Sequence, residues 1–241
     1  MNTALVFTSL IISVVLGGFL VTYLKQTNKA HFIKLMLAFS GGFLLSVAFV
    51  HFIPDLYSDH TGSIGIFILI GFLIQLLLEF FSGGIEHGHV HVHEGQSMPW
   101  GLFISLSIHS VLEGIPLGNQ LIGVEIHDHH DHGGSSLLLG ILFHQLPVSI
   151  ALMTLLINTR LTQIRAWVVL MLFGIMTPAG VVYGMLFPGT FFDYHIILAV
   201  VVGMFLHIST TIIFETSENH KFNLMKLIAI FIGCLLAFGL I

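Results

Sequence analysis

Apolar stretches of roughly 20 residues recur along the whole chain, and they restrict the fold more tightly than any other feature of the sequence. A stretch of that length spans about 30 Å of hydrocarbon as an α-helix. The stretches run over residues 3–24, 32–54, 63–82, 99–122, 136–157, 166–187, 194–215 and 223–241. The breaks between them are short and polar, as at Lys25 to Lys29, Ser58 to Gly62, Arg160 to Arg165 and Glu218 to Lys221. Only 8% of the 241 residues are charged and 56% are hydrophobic, against about 25% charged in a soluble domain. Too few charges exist to cover a water-facing surface. The sequence therefore predicts an all-α integral membrane protein, an eight-transmembrane-helix bundle forming a single transmembrane domain over residues 1–241. The first stretch lacks a basic head and a small-residue cleavage site, so it reads as a span and not as a signal peptide.

Basic residues orient such a bundle. Lys25, Lys29 and Lys34 flank the turn between spans 1 and 2, Arg160 and Arg165 that between 5 and 6, and Lys221 and Lys226 that between 7 and 8. With eight spans all seven fall on one side, expected to be cytoplasmic, with both termini outside. Seven scattered cations form no patch for nucleic acid. The single cysteine, Cys234, can neither close an intrachain disulfide nor build a thiolate cluster.

Sixteen histidines stand against those seven basic residues. Imidazole is costly in hydrocarbon and is the commonest metal ligand. Two loops concentrate it. His87, His89, His91 and His93 follow span 3 on the expected cytoplasmic side, and His127, His129, His130 and His132 follow span 4 on the outer side. Both are short metal-attracting tracts; the plainer reading is a solvated polar loop.

More informative residues lie inside the spans. His109 and Glu113 are four apart in span 4 and share a helix face near mid-membrane. His144 in span 5 reaches a similar depth from the opposite side. An ionisable set there is expensive unless it meets a partner, water or an ion. Two imidazoles and a carboxylate suit zinc or another transition metal, whereas Mg²⁺ prefers all-oxygen shells. The competing reading is a buried hydrogen-bond network that only joins helices. Pro116 and Pro147 interrupt the same two spans, and Thr177-Pro178 predicts a kink in span 6. Gly41, Gly42, Gly180 and Gly184 predict close helix contacts. His51 and Asp55, at the outer end of span 2, are candidates for an outer mouth. Glu79, His207 and Glu215 are candidates for an inner path. Ordinary interfacial placement is the alternative for each.

These residues resemble the ZIP family of metal-ion transporters. The most specific likeness is His109-Ser110-x-x-Glu113-Gly114 with His144-Gln145-x-Pro147, which is similar to the family's His-Asn-x-x-(Asp/Glu)-Gly and His-Glu-x-Pro-His-Glu motifs. Weaker likenesses are the stretch from Gly42 to Asp55, with its His51-x-x-Pro54-Asp55 ending, and Met176-Thr177-Pro178-x-Gly180. The resemblance implies Zn²⁺ uptake toward the cytoplasm, with Fe²⁺, Mn²⁺ or Cd²⁺ as further substrates. It implies inverted repeats of spans 1–3 and 6–8 around spans 4 and 5, with His109, Glu113 and His144 as primary ligands. Departures from the pattern are Ser110, Gln145, Val148, Ser149 and Thr177, where ligands or carboxylates are usual. Ser110 and Gln145 would give weak contacts at most. The expectation is one transport site and not a two-metal centre.

The ion is thus expected as a transported substrate, with no resident cofactor, no nucleic-acid partner and no enzymatic activity. The partners are a divalent metal ion and the lipid bilayer, with a homodimer left open. A plasma membrane or bacterial inner membrane fits the span lengths. Two rival functions remain at this level. A membrane metal sensor or receptor would need the histidine loops but not a mid-membrane ligand set. An intramembrane metalloprotease would want His-Glu-x-x-His, which does not occur. An exporter differs only in direction, which residues alone do not set.

Overall fold

A backbone surrounded by hydrocarbon has to satisfy its own N–H and C=O groups, and helices do so within each segment. The computed structural model describes residues 2–23, 29–59, 63–82, 98, 100–124, 133–189, 193–215 and 224–240, and among these the chain is helical with no strands. The helices are α1 (Thr3–Tyr23), α2 (Lys29–Val47), α3 (Ile53–Asp59), α4 (Ile64–Ser82), α5 (Trp100–Leu121), α6 (Gly133–Asn158), α7 (Gln163–Gly174), α8 (Met176–Leu186), α9 (Tyr194–Glu215) and α10 (Leu224–Leu240). A π-helical turn, Ala48–Phe52, joins α2 to α3, and α7 meets α8 at Ile175, so the ten helices form eight rods. Seven rods are long and apolar enough to cross a membrane; α10, at 17 residues, is a shorter apolar helix.

Two rods differ from the simplest reading of the sequence. The second continues past Pro54 to Asp59. Proline lacks an N–H and crowds the carbonyl four residues back, and here the turn just before it widens, with the Ile53 N–H bonding to the Ala48 carbonyl. In the sixth rod the helix is interrupted at Ile175, two residues before Thr177-Pro178, where the sequence predicts a kink. Pro178 lies in the first turn of α8, where an absent N–H costs least. Thr162 caps α7 by accepting from the Arg165 N–H. Hydroxyls within the spans bond back to their own helix, as Thr22 does to the Gly18 carbonyl and Thr154 to the Ile150 carbonyl, both at 2.8 Å.

Large apolar side chains such as Phe19, Leu69, Leu73, Phe80, Phe231 and Leu235 point outward, which is the expected finish for a surface solvated by lipid. Inside, the rods pack in pairs: α2 with α10, α4 with α9, α5 with α8, and α1 with α6. Glycine makes each seam close. A Cβ on Gly42 would lie 2.3 Å from the Ile230 carbonyl oxygen, and one on Gly233 would lie 2.1 Å from that of Phe39. Gly71 and Gly203 serve α4 and α9 in the same way, each 1.9 Å from a facing carbonyl oxygen by the same measure. Gly114, Gly118, Gly180 and Gly184 line the α5–α8 seam, while Gly17 lets α1 approach Ser149 of α6. Without hydrophobic drive between helices in lipid, such backbone approaches are a main source of association. Gly180 and Gly184 act as the sequence predicted.

Candidate metal centre

His109, Glu113 and His144 are each 2–3% exposed, and α5 and α6 bring them together at the centre of the bundle. On α5 the four-residue spacing stacks His109 and Glu113 on one face, with His109 Nε2 2.6 Å from Glu113 Oε1. On α6, His144 sets its ring edge-on to that of His109, with centroids 5.8 Å apart and planes at 77°. One ligand atom from each residue lies within 4.8 Å of the other two. A tetrahedral shell with bonds of about 2.0–2.2 Å would put neighbouring ligand atoms about 3.4 Å apart. An ion therefore has to widen the His109–Glu113 pair slightly and draw His144 inward. Pro116 and Pro147 lie within these same helices, close to the ligands; each removes an N–H that would have bonded four residues back.

A residue not singled out by sequence completes the His109 environment. Gln75 of α4 is fully buried, and its Oε1 lies 2.9 Å from His109 Nδ1. The available signal was a long polar side chain within the otherwise apolar run of α4. Nothing in that run says which residue the amide meets.

Beside the site, Gln145 is engaged in a neutral network. Its Oε1 accepts from Ser13 of α1 at 2.8 Å, and its Nε2 donates to Thr177 of α8 at 3.2 Å. All three are buried. Val148 is packed in an apolar cluster with Leu106, Leu152 and Phe173. Ser149 bonds to the Leu146 carbonyl and fills the space left by Gly17. Ser110 is buried on α5.

The remaining predicted residues occupy other places. Glu79 of α4 pairs with His207 of α9, whose ring meets Phe72 edge-on at 4.7 Å. His51 sits in the π turn half-buried, and Asp55 in α3 is exposed. Glu215 is the last residue of α9, and its side chain falls outside the described ones. The tracts His87, His89, His91, His93 and His127, His129, His130, His132 also lie outside the described residues.

A bundle of long apolar helices enclosing two imidazoles and a carboxylate defines a multi-pass integral membrane protein with a buried site suited to a divalent transition-metal ion. Comparison with known families agrees: the model for the ZIP zinc transporters matches residues 83–241. The chain belongs to that family, whose members are transporters and not enzymes. It is also similar to Protein zntD of Dictyostelium discoideum, at 26% identity over 157 residues, covering 58% of this chain and 22% of that protein. The chain thus spans about a fifth of the length of this curated relative.

Proposed function

We propose that this chain carries Zn²⁺ into the cytoplasm by alternating access, through a single mid-membrane site formed by His109, Glu113 and His144. One observation carries the reading: three buried ligand atoms from two helices within 4.8 Å of one another. A buried set of this kind is costly without a partner that uses it, and nitrogen-rich ligands favour zinc, with Fe²⁺, Mn²⁺ or Cd²⁺ as competitors. The Ser13–Gln145–Thr177 network supports a single ion. It places uncharged groups where a second divalent cation would need carboxylates, and Val148 offers no donor.

The described seams suit eight spans in one transport domain. Exchanging span 1 with 6, 2 with 7, 3 with 8 and 4 with 5 maps each packed pair onto another, as inverted repeats would require. The basic residues then favour outside termini. His51, Asp55 and the 127–132 tract would gather ions at the outer mouth. Glu79, His207, Glu215 and the 87–93 tract would receive them inside. An inner or plasma membrane is the proposed setting, and assembly as a homodimer is compatible with it.

Radiolabelled zinc uptake into proteoliposomes tests the reading. His109→Ala, Glu113→Ala and His144→Ala should each abolish saturable uptake. Wild-type protein that binds zinc but moves none would favour a sensor, and efflux against the imposed gradient would favour an exporter. Saturable uptake retained in all three variants would end the site assignment.

A further inference from the structure

α4 has little reason to carry an amide at its middle. Its outward face is apolar, with Leu69, Leu73, Leu76 and Leu77 exposed, and an unsatisfied amide at that depth is strongly disfavoured. Gln75 is nevertheless fully buried, turned inward onto His109. We propose that Gln75 is a positioning residue for the ion site: its Oε1 holds the His109 ring with the proton on Nδ1, so that Nε2 faces Glu113 and His144. The proposal deepens the transport reading and rests on His109 being a ligand.

A neutral imidazole has one N–H and one lone pair, and the partner of one nitrogen decides what the other can do. At His109 the two nitrogens have different neighbours: Nδ1 is 2.9 Å from Gln75 Oε1, and Nε2 is 2.6 Å from Glu113 Oε1. Once an ion replaces the proton that Nε2 and Glu113 Oε1 must otherwise share at that distance, Nδ1–H still donates to Gln75, the Nε2 lone pair is directed at the ion position, and the ring cannot turn without losing that bond. The helices are registered to keep it so. Ser105, one turn before His109, donates to the Leu78 carbonyl, three residues beyond Gln75. The α4–α5 contact therefore fixes both members of the pair. An amide makes this bond without adding charge. A carboxylate at the same place would strengthen ring basicity and hold a cation longer.

The test compares Gln75→Met, which keeps length but lacks the acceptor, with Gln75→Glu, which restores it. Zinc uptake into proteoliposomes gives KM and Vmax, and ¹⁵N signals of the zinc-bound full chain report which His109 nitrogen is protonated. Removing an outer partner of a metal-ligating histidine typically costs about 10–100-fold in affinity. Gln75→Met should raise KM on that scale with the metal-free melting temperature little changed. Gln75→Glu should return KM to the wild-type value or below while lowering Vmax, a split that packing alone would not produce. Wild-type protein should show the proton on Nδ1. Wild-type kinetics in a folded Gln75→Met variant, equal impairment of both variants, or a proton on Nε2 in wild type would each overturn the proposal. If Gln75→Met does not fold, the Gln75→Glu kinetics and the wild-type signals decide. His109→Ala separates the two levels. If it leaves zinc uptake intact, the site assignment fails; if it abolishes uptake while Gln75→Met matches wild type, only the positioning role fails.

Discussion

Adding one methyl group at Gly180 should impair the metal site without touching a ligand. A Cβ at Gly180 would lie 2.1 Å from the Val111 carbonyl oxygen and 2.9 Å from its carbon. Ordinary contact needs about 3.4 Å, and the obstruction is helix backbone, which has no rotamer to escape into. α5 and α8 must therefore part by about 1 Å at that point. His109 and Glu113 ride on α5 and move together, whereas His144 rides on α6. Their mutual distances change by several times the ~0.2 Å that coordination geometry tolerates. Gly180→Ala should accordingly fold as a helical membrane protein yet show a raised KM for zinc, by about tenfold or more, in a proteoliposome uptake assay. Gly239→Ala is the matched control, because nothing lies within 4 Å of its added Cβ. A Gly180→Ala protein with wild-type KM and Vmax would refute the argument that the α5–α8 seam sets the ligand geometry.

Two further outcomes follow from the same site. Coordination requires neutral imidazole and ionised carboxylate, so protons compete with the ion; zinc uptake should fall between about pH 7.5 and pH 5.5, and a steady rise over that range would contradict it. Gln145→Glu would place a carboxylate between Ser13 and Thr177 beside the ligand set. Zinc should raise its melting temperature more than that of wild type, and the bound zinc per chain, measured by elemental analysis, should rise above one; an unchanged stoichiometry would argue against a second site emptied by loss of charge.

Much of this architecture was legible in the order of residues, because a bilayer leaves few alternatives. The apolar runs locate helices such as α4, α5 and α9 closely, since length and hydropathy act together in lipid. His109 and Glu113 could be joined by helical spacing alone, and His144 by depth. What depends on partners was harder to read. Pro54 looks like a helix end, yet a widened π turn lets the rod continue to Asp59. Glu79 and His207 could both be placed toward one side, but their pairing across α4 and α9 needs the packing of Gly71 on Val200 and of Gly203 on Ile68. Gln75 shows the limit most clearly. Its depth was readable, but its neighbour is fixed by the angle at which two distant segments cross.

The glycine seams also have a mechanical consequence. Where one helix backbone lies against another with no side chain between, sliding by a single residue, about 1.5 Å, would drive a Cβ into a carbonyl. Such couples are locked against shear, and the smallest mobile parts of the molecule are pairs of helices. α5 is coupled to α8 in this way, while α6 packs on α1 through Ser149, which sits over Gly17. The three residues of the proposed site thus belong to two separate couples, so a rocking of one against the other would loosen their hold on an ion without unfolding a single turn.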